Sequence, residues 1–163
     1  MCQLQRVRSD HMDAVRAFEL ANRTYFAQFI NDRGDDFYEL YAERHRELLM
    51  EQDSGECIFH VLVDQDGTVT GRVNLYDVVD GSARVGYRVA QRVAGRGVAT
   101  AALRQLCRLA QADYGLRNLT AETSSENRAS QRVLEKAGFS ATEDCEVAGQ
   151  PGIRYTLRLT VPA

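Results

Sequence analysis

Two glycines one residue apart, Gly95-Arg96-Gly97, stand where a strand-like stretch gives way to a long helical one. The first N–H groups of a helix have no acceptor inside it, and the helix dipole adds about half a positive charge there. Glycine removes the side chains that would hold a ligand off. The chemistry this allows is anion binding, and several amides in a row suit a diphosphate. Arg92 and Arg96 add positive charge in the same loop. A bend in which glycine serves only backbone geometry has the same sequence. Three known phosphate loops do not fit. A Walker loop needs GxxxxGK and then Ser or Thr. The dinucleotide fingerprint needs a third Gly where Thr100 stands. A kinase loop belongs to a much longer chain.

Other reactive residue types are scattered. His11, His45 and His60 lack metal-ligand spacing, so no metal is expected. Cys2, Cys57, Cys107 and Cys145 form no CxxC pair. They read as reduced thiols, which points to a cytoplasmic protein, with Cys57 and Cys107 at most small core residues. No GxSxG motif and no catalytic Cys–His arrangement is present.

Composition sets the frame. The 163 residues suit one domain, taken as 1–163, and 44% are hydrophobic. The net charge of -3 carries no basic field, so a nucleic-acid partner is not expected. No apolar run exceeds three residues, whereas a membrane span needs about 20. Arg6, Arg8 and Asp10 interrupt any secretory core near the start, so none is expected there.

Periodicity supplies the elements that position the loop. Leu4 to Arg8 alternates like a strand, and Ser9 and Asp10 offer a helix cap. Helical spacing follows over Met12–Phe29 and Asp36–Glu51. The period then becomes two. Cys57–Val63, Thr68–Val79 and Ala83–Val89 read as antiparallel strands joined by Asp66-Gly67 and Asp80-Gly81 turns of type I′. Val69, Val73 and Leu75 share one face. A helix runs from Gly97 to Tyr114 and is closed by Gly115. Asn118–Thr123 is a strand, Asn127–Ala137 a helix with Ala129, Val133, Leu134 and Ala137 inward. Two strands, Phe139–Val147 and Ile153–Val161, flank a turn at Gly149–Gly152. The order is βααβββαβαββ. It gives a mixed α/β fold around one sheet of about seven mostly antiparallel strands, with a right-handed parallel crossover over 83–123.

The order and two motifs resemble the GNAT superfamily of acetyl-CoA-dependent N-acetyltransferases. Ala94-Gly95-Arg96-Gly97-Val98-Ala99 is similar to that family's Gln/Arg-Gly-x-Gly-x-Gly/Ala loop, with Ala94 in place of Gln or Arg. Asn127-Arg-Ala-Ser130-Gln-Arg-Val-Leu-Glu-Lys-Ala-Gly138-Phe139 resembles the signature of the RimJ/RimL-type branch, which acetylates N-terminal amines of ribosomal proteins. The Val85-Gly86-Tyr87 strand also resembles that branch.

The resemblance implies a fourth and fifth strand splayed apart, with the pantetheine of acetyl-CoA bonded to the backbone near Tyr87 and Val89. It places the diphosphate on the amides of Gly95, Arg96, Gly97, Val98, Ala99 and Thr100. It gives Asn127 a bond to the pantetheine, beside its reading as a helix cap. Glu122 stands where a related branch carries the base that accepts the amine proton; its other reading is a solvated strand residue. Many relatives place an acid Tyr where this chain has Leu134. Ser130, one turn after Asn127, is the expected substitute, with Tyr87 behind it. A thiolate can also leave with help from solvent.

The acceptor is expected to be an amine, most readily a protein N-terminus. A small-molecule amine, such as an antibiotic or a polyamine, and a non-catalytic acyl-CoA sensor are the alternatives, with an unrelated nucleotide-binding module beyond them. Asn74 and Tyr76 and side chains of the first two helices offer a lining for the acceptor's pocket; Asp32, Asp35 and Asp36 read as a solvated loop, with attraction of a cationic acceptor as their other reading.

Overall fold

A computed structural model describes residues 2–159. Seven strands form one sheet in the order β1-β2-β3-β4-β5-β7-β6. They are β1 (Gln3–Arg6), β2 (Ile58–Val63), β3 (Val69–Val79), β4 (Ser82–Val89), β5 (Asn118–Ser124), β6 (Ser140–Val147) and β7 (Gln150–Arg158). All neighbours are antiparallel except β4 and β5. The parallel pair is the one joined by a helical crossover, as chain geometry requires. The expected last strand reached Val161; Thr160 and Val161 lie outside the described residues.

The helices form two layers. Helices α1 (Met12–Ala21), α2 (Arg23–Phe26), α3 (Asp35–Glu39) and α4 (Tyr41–Ser54) cover one face. There Val15, Phe18, Phe26 and Tyr41 pack with Phe59, Val61 and Val69. Helices α5 (Val98–Ala112) and α6 (Arg128–Lys136) cover the other. There Ala102, Leu103, Leu106 and Leu134 pack with Val73, Leu75, Val85, Leu119 and Ala121.

Several local expectations change. The two N-terminal helices are each broken, at Asn22 and at Leu40. The stripe drawn through Phe29 therefore ends early, and Phe29 is 54% exposed. Val69 packs on the face opposite Val73, because β3 carries one extra residue: Val63 pairs with Val69 and Leu62 with Gly71. Such a bulge reverses the alternation. Only Gly67 of the Asp66-Gly67 turn has positive φ, so it is not type I′, whereas Asp80 (φ 50°) and Gly81 (φ 78°) both do. The last hairpin turns at Ala148-Gly149, with Val147 paired to Gln150, so Gln150, Pro151 and Gly152 already belong to β7. Gly152 is needed there for space, since a Cβ would sit 2.9 Å from the Thr123 carbonyl oxygen. Ala129, expected inward, is exposed on α6.

The feature that shapes the site is the short β4–β5 ladder. It joins only Ser82–Arg84 to Asn118–Thr120. Beyond that, β4 stays with β3 out to the Val89–Gly71 pair, and β5 stays with β7 out to the Ser124–Gly152 pair. Each strand follows its own hairpin partner and twist separates them. The β5-facing edge of β4 from Val85 onward is left without a strand partner.

Candidate active site

The glycine loop begins one residue after β4. Gln91–Val93 makes a single 3₁₀ turn, and Gly95 (φ 75°) and Gly97 (φ 79°) are left-handed, a region that costs other residues strain. Gly97 is the N-cap of α5 and gives it no side-chain cap. The amides of Gly95, Arg96, Gly97, Val98, Ala99 and Thr100 find no acceptor among the described residues. A Cβ built on Gly95 or Gly97 would meet nothing within 4 Å, so the bend faces open space. Two anchors hold the loop from behind. The Gln91 amide donates to Asn22 Oδ1 at 2.9 Å, and Arg92 pairs with Asp64 at 3.2 Å. Arg92, expected to charge the loop, is thus tied to the β2–β3 turn, while Arg96 is exposed.

Helix α6 starts differently. Asn127 Oδ1 accepts from the Ser130 amide at 3.1 Å, so Asn127 is a true N-cap. Its amide nitrogen is left for other use. Ser130 faces β4, where its hydroxyl lies 2.9 Å from the Tyr87 hydroxyl. This bond joins β4 to α6 beside the splay. Burial raises the Tyr87 pKa, and the bond to Ser130 works against that shift. Leu134, the position of the absent acid Tyr, is fully buried in the core.

Glu122 lies on the opposite side of the sheet. Ala121 belongs to the core under α5, so the pleat turns Glu122 toward the other face. Its Oε1 accepts from Arg154 Nη2 at 2.9 Å and Nε at 3.2 Å. Arg154 also pairs with Glu143, and both carboxylates raise its pKa. Oε2 of Glu122 receives no bond among the described residues. The candidate base and the hydroxyl pair thus approach the splay from its two faces.

Two groups here carry no signal of their own in the sequence. Arg154 gave no signal by itself, since its partner lies two strands away in sequence. Tyr87, expected behind Ser130 as the acid, forms one pair with it. Glu19, Arg72 and Arg88 belong to no motif, yet Glu19 falls on the buried stripe of α1 with Val15 and Phe18. Asn74 is buried and donates to the Tyr76 hydroxyl at 3.1 Å, and Tyr76 packs edge-on against Phe59. Of the acidic residues between the first helices, Asp32 and Asp35 pair with Arg23. Among the described residues no group of three or more His, Cys, Asp or Glu could hold a metal ion, and no helix is long and apolar enough to cross a membrane.

Residues 3–140 match the Acetyltransferase (GNAT) domain family. This chain belongs to the GNAT family. A GNAT relative of 33% identity is the Probable N-acetyltransferase YjcK of Bacillus subtilis (strain 168), covering 72% of this chain and 68% of its own. The chain is an acetyl-transferring enzyme. Among solved GNAT structures, the ribosomal-protein-S5-alanine acetyltransferase of Vibrio fischeri superposes with a TM-score of 0.89 at 18% identity, over 97% of this chain and 93% of that one. The spermidine N-acetyltransferase of Vibrio cholerae, in complex with CoA and spermine, superposes with a TM-score of 0.80 at 14% identity, over 97% and 95%. At those identities the likeness is one of fold.

Proposed function

We propose that this enzyme carries the acetyl group of acetyl-CoA to the α-amine of a protein N-terminus, by direct attack in a ternary complex. One observation carries the cofactor part: the run of unpaired amides from Gly95 to Thr100, beside the open edge of β4. A diphosphate satisfies the amides and the dipole of α5 together. The edge near Tyr87 and Val89 then takes the pantetheine as an added strand, and the amide nitrogen of Asn127 reaches it from the start of α6.

Acetyl-CoA supplies a thioester whose C–S bond breaks as the C–N bond to the amine forms. Glu122 takes the proton of the incoming ammonium through its free Oε2. The Tyr87–Ser130 pair hands a proton to the departing thiolate from the other face, in the role that Leu134 cannot fill. Asn127 fixes Ser130 by capping its amide.

The N-terminal amine is favoured by the RimJ/RimL-type signature at Asn127–Phe139 and by a relative of like fold that acts on a ribosomal protein. A polyamine acceptor is the second reading, favoured by the spermidine enzyme of the same fold. Thiol release from acetyl-CoA, measured with N-terminal peptides, spermidine and aminoglycosides, separates them. Peptide-dependent release that falls at least about 100-fold in Glu122→Gln is expected. Release with amines but not peptides would overturn the N-terminal reading. Release undiminished in the variant would remove Glu122 from the mechanism.

A further inference from the structure

The helical layer over β3 and β4 buries an ionic cluster that the chemistry above does not use. Glu19 of α1 is 2% exposed. Arg72 of β3 and Arg88 of β4 are direct cross-strand partners on that face. Like charges set opposite one another repel, and burial strengthens the repulsion. One carboxylate answers both. Arg72 donates to Glu19 Oε1 at 3.0 Å and Arg88 to Oε2 at 3.4 Å. Arg72 Nε is buried without an acceptor. Arg33 stacks on Phe37, has no ion pair among the described residues, and lines one cleft with Glu19, Phe26, Tyr38 and Arg88. Burial lowers the Arg88 pKa; Glu19 opposes that shift, and Arg33 and Arg72 add to it. Three guanidiniums therefore stand against one carboxylate. Arg23 on the same rim is outnumbered by Asp32 and Asp35, so the rim as a whole keeps one positive charge in surplus.

The position of Arg88 ties this surplus to the reaction. It lies between Tyr87 and Val89, beyond the β4–β5 ladder, and faces away from the Tyr87–Ser130 pair. Arg84 pairs with Thr120 on the same face, so Arg88 and Glu122 share that face across the splay. The far wall has the opposite sign, with Glu122 and Glu143 around Arg154. A cationic wall on β4 thus confronts an anionic wall on β5, with the splay between them.

We propose that this pair of walls selects an acceptor bearing a carboxylate beside its reactive amine, with Arg88 contacting the anion: an N-terminal peptide with Asp or Glu directly after the first residue. The inference rests on the N-terminal reading above and names the kind of terminus. A polyamine offers several cations and no anion, and Arg33 and Arg88 repel it.

The test is a series of short peptides sharing an N-terminal Ala and differing only at the next two residues, Glu-Glu, Gln-Gln or Lys-Lys, with free glutamate and spermidine alongside. With the unmodified protein, kcat/KM should be at least about tenfold higher for the acidic peptide than for the basic one. The ratio should shrink as salt is raised. Arg88→Gln should erase the preference through KM, and Arg88→Glu should invert it. Equal kcat/KM across the peptides overturns the anion contact alone. Turnover of free glutamate in preference to every peptide overturns the peptide source. Turnover of spermidine with no peptide turned over overturns both the N-terminal reading and the anion contact.

Discussion

Replacing Gly97 by Ala separates what this glycine does for the backbone from what it does for a ligand. Gly97 sits at φ 79° as the N-cap of α5. Gly115, just past the other end of the same helix, sits at φ 63°. A Cβ at either position would meet no protein atom within 4 Å. Ala in the left-handed region costs about 1–2 kcal/mol at each site. For a chain of this size that lowers Tm by roughly 2–8 °C, and by a similar amount in the two variants. Only position 97 faces the unpaired amides. There Ala either keeps the strained turn with a methyl group in front of the helix, or relaxes it and re-aims the amides. Losing one charge-assisted bond is worth about 1.5–3 kcal/mol, which weakens CoA binding by roughly 10- to 100-fold. Calorimetric titration with CoA, paired with thermal unfolding of both variants, reads the two effects separately. Gly97→Ala binding CoA as tightly as Gly115→Ala, at matched loss of stability, would refute the reasoning.

Three further outcomes are expected. Tyr87→Phe and Ser130→Ala should each lower kcat by about 100-fold, and the double variant no further, because the two hydroxyls deliver one proton; additive losses in steady-state assays would show that they act apart. Glu19→Gln should cost about 3–5 kcal/mol in urea unfolding, since it leaves Arg72 and Arg88 paired with no buried carboxylate; a loss below about 1 kcal/mol would mean that the pair behaves as a surface one. His60 is buried, donating from Nδ1 to the Val73 carbonyl and accepting from the Tyr114 hydroxyl at Nε2. Burial lowers its pKa from 6.5 to about 4. The unfolded chain takes up a proton that the fold refuses, so stability is full above pH 6.5 and falls as pH drops toward about 4. The total is on the order of 3 kcal/mol, and unfolding midpoints across that range should flatten in His60→Leu.

The strand-loop-helix unit around Gly95 was legible because its chemistry is local. Strand alternation, two glycines and an amphipathic helix lie within one stretch of chain. The splay between β4 and β5 came from the resemblance rather than from periodicity, because pairing beyond Arg84 depends on which hairpin each strand follows. Side-chain partners were the least legible. Glu122 meets Arg154 only because β7 lies beside β5, and Tyr87 meets Ser130 only because α6 folds back over β4. Bulges were hidden as well: one extra residue in β3 moved Val69 to the other face, and no single residue type announces that. Glu19 was within reach, since a charged residue on the apolar stripe of α1 implies a buried partner.

The central claim is that the open bend at the head of α5 holds the diphosphate of CoA. A crystal structure of the complex tests it most directly. The account predicts diphosphate oxygens within hydrogen-bond distance of the amides between Gly95 and Thr100, with the pantetheine along β4 at Tyr87 and Val89. A diphosphate seated elsewhere, with those amides still unpaired, would contradict it.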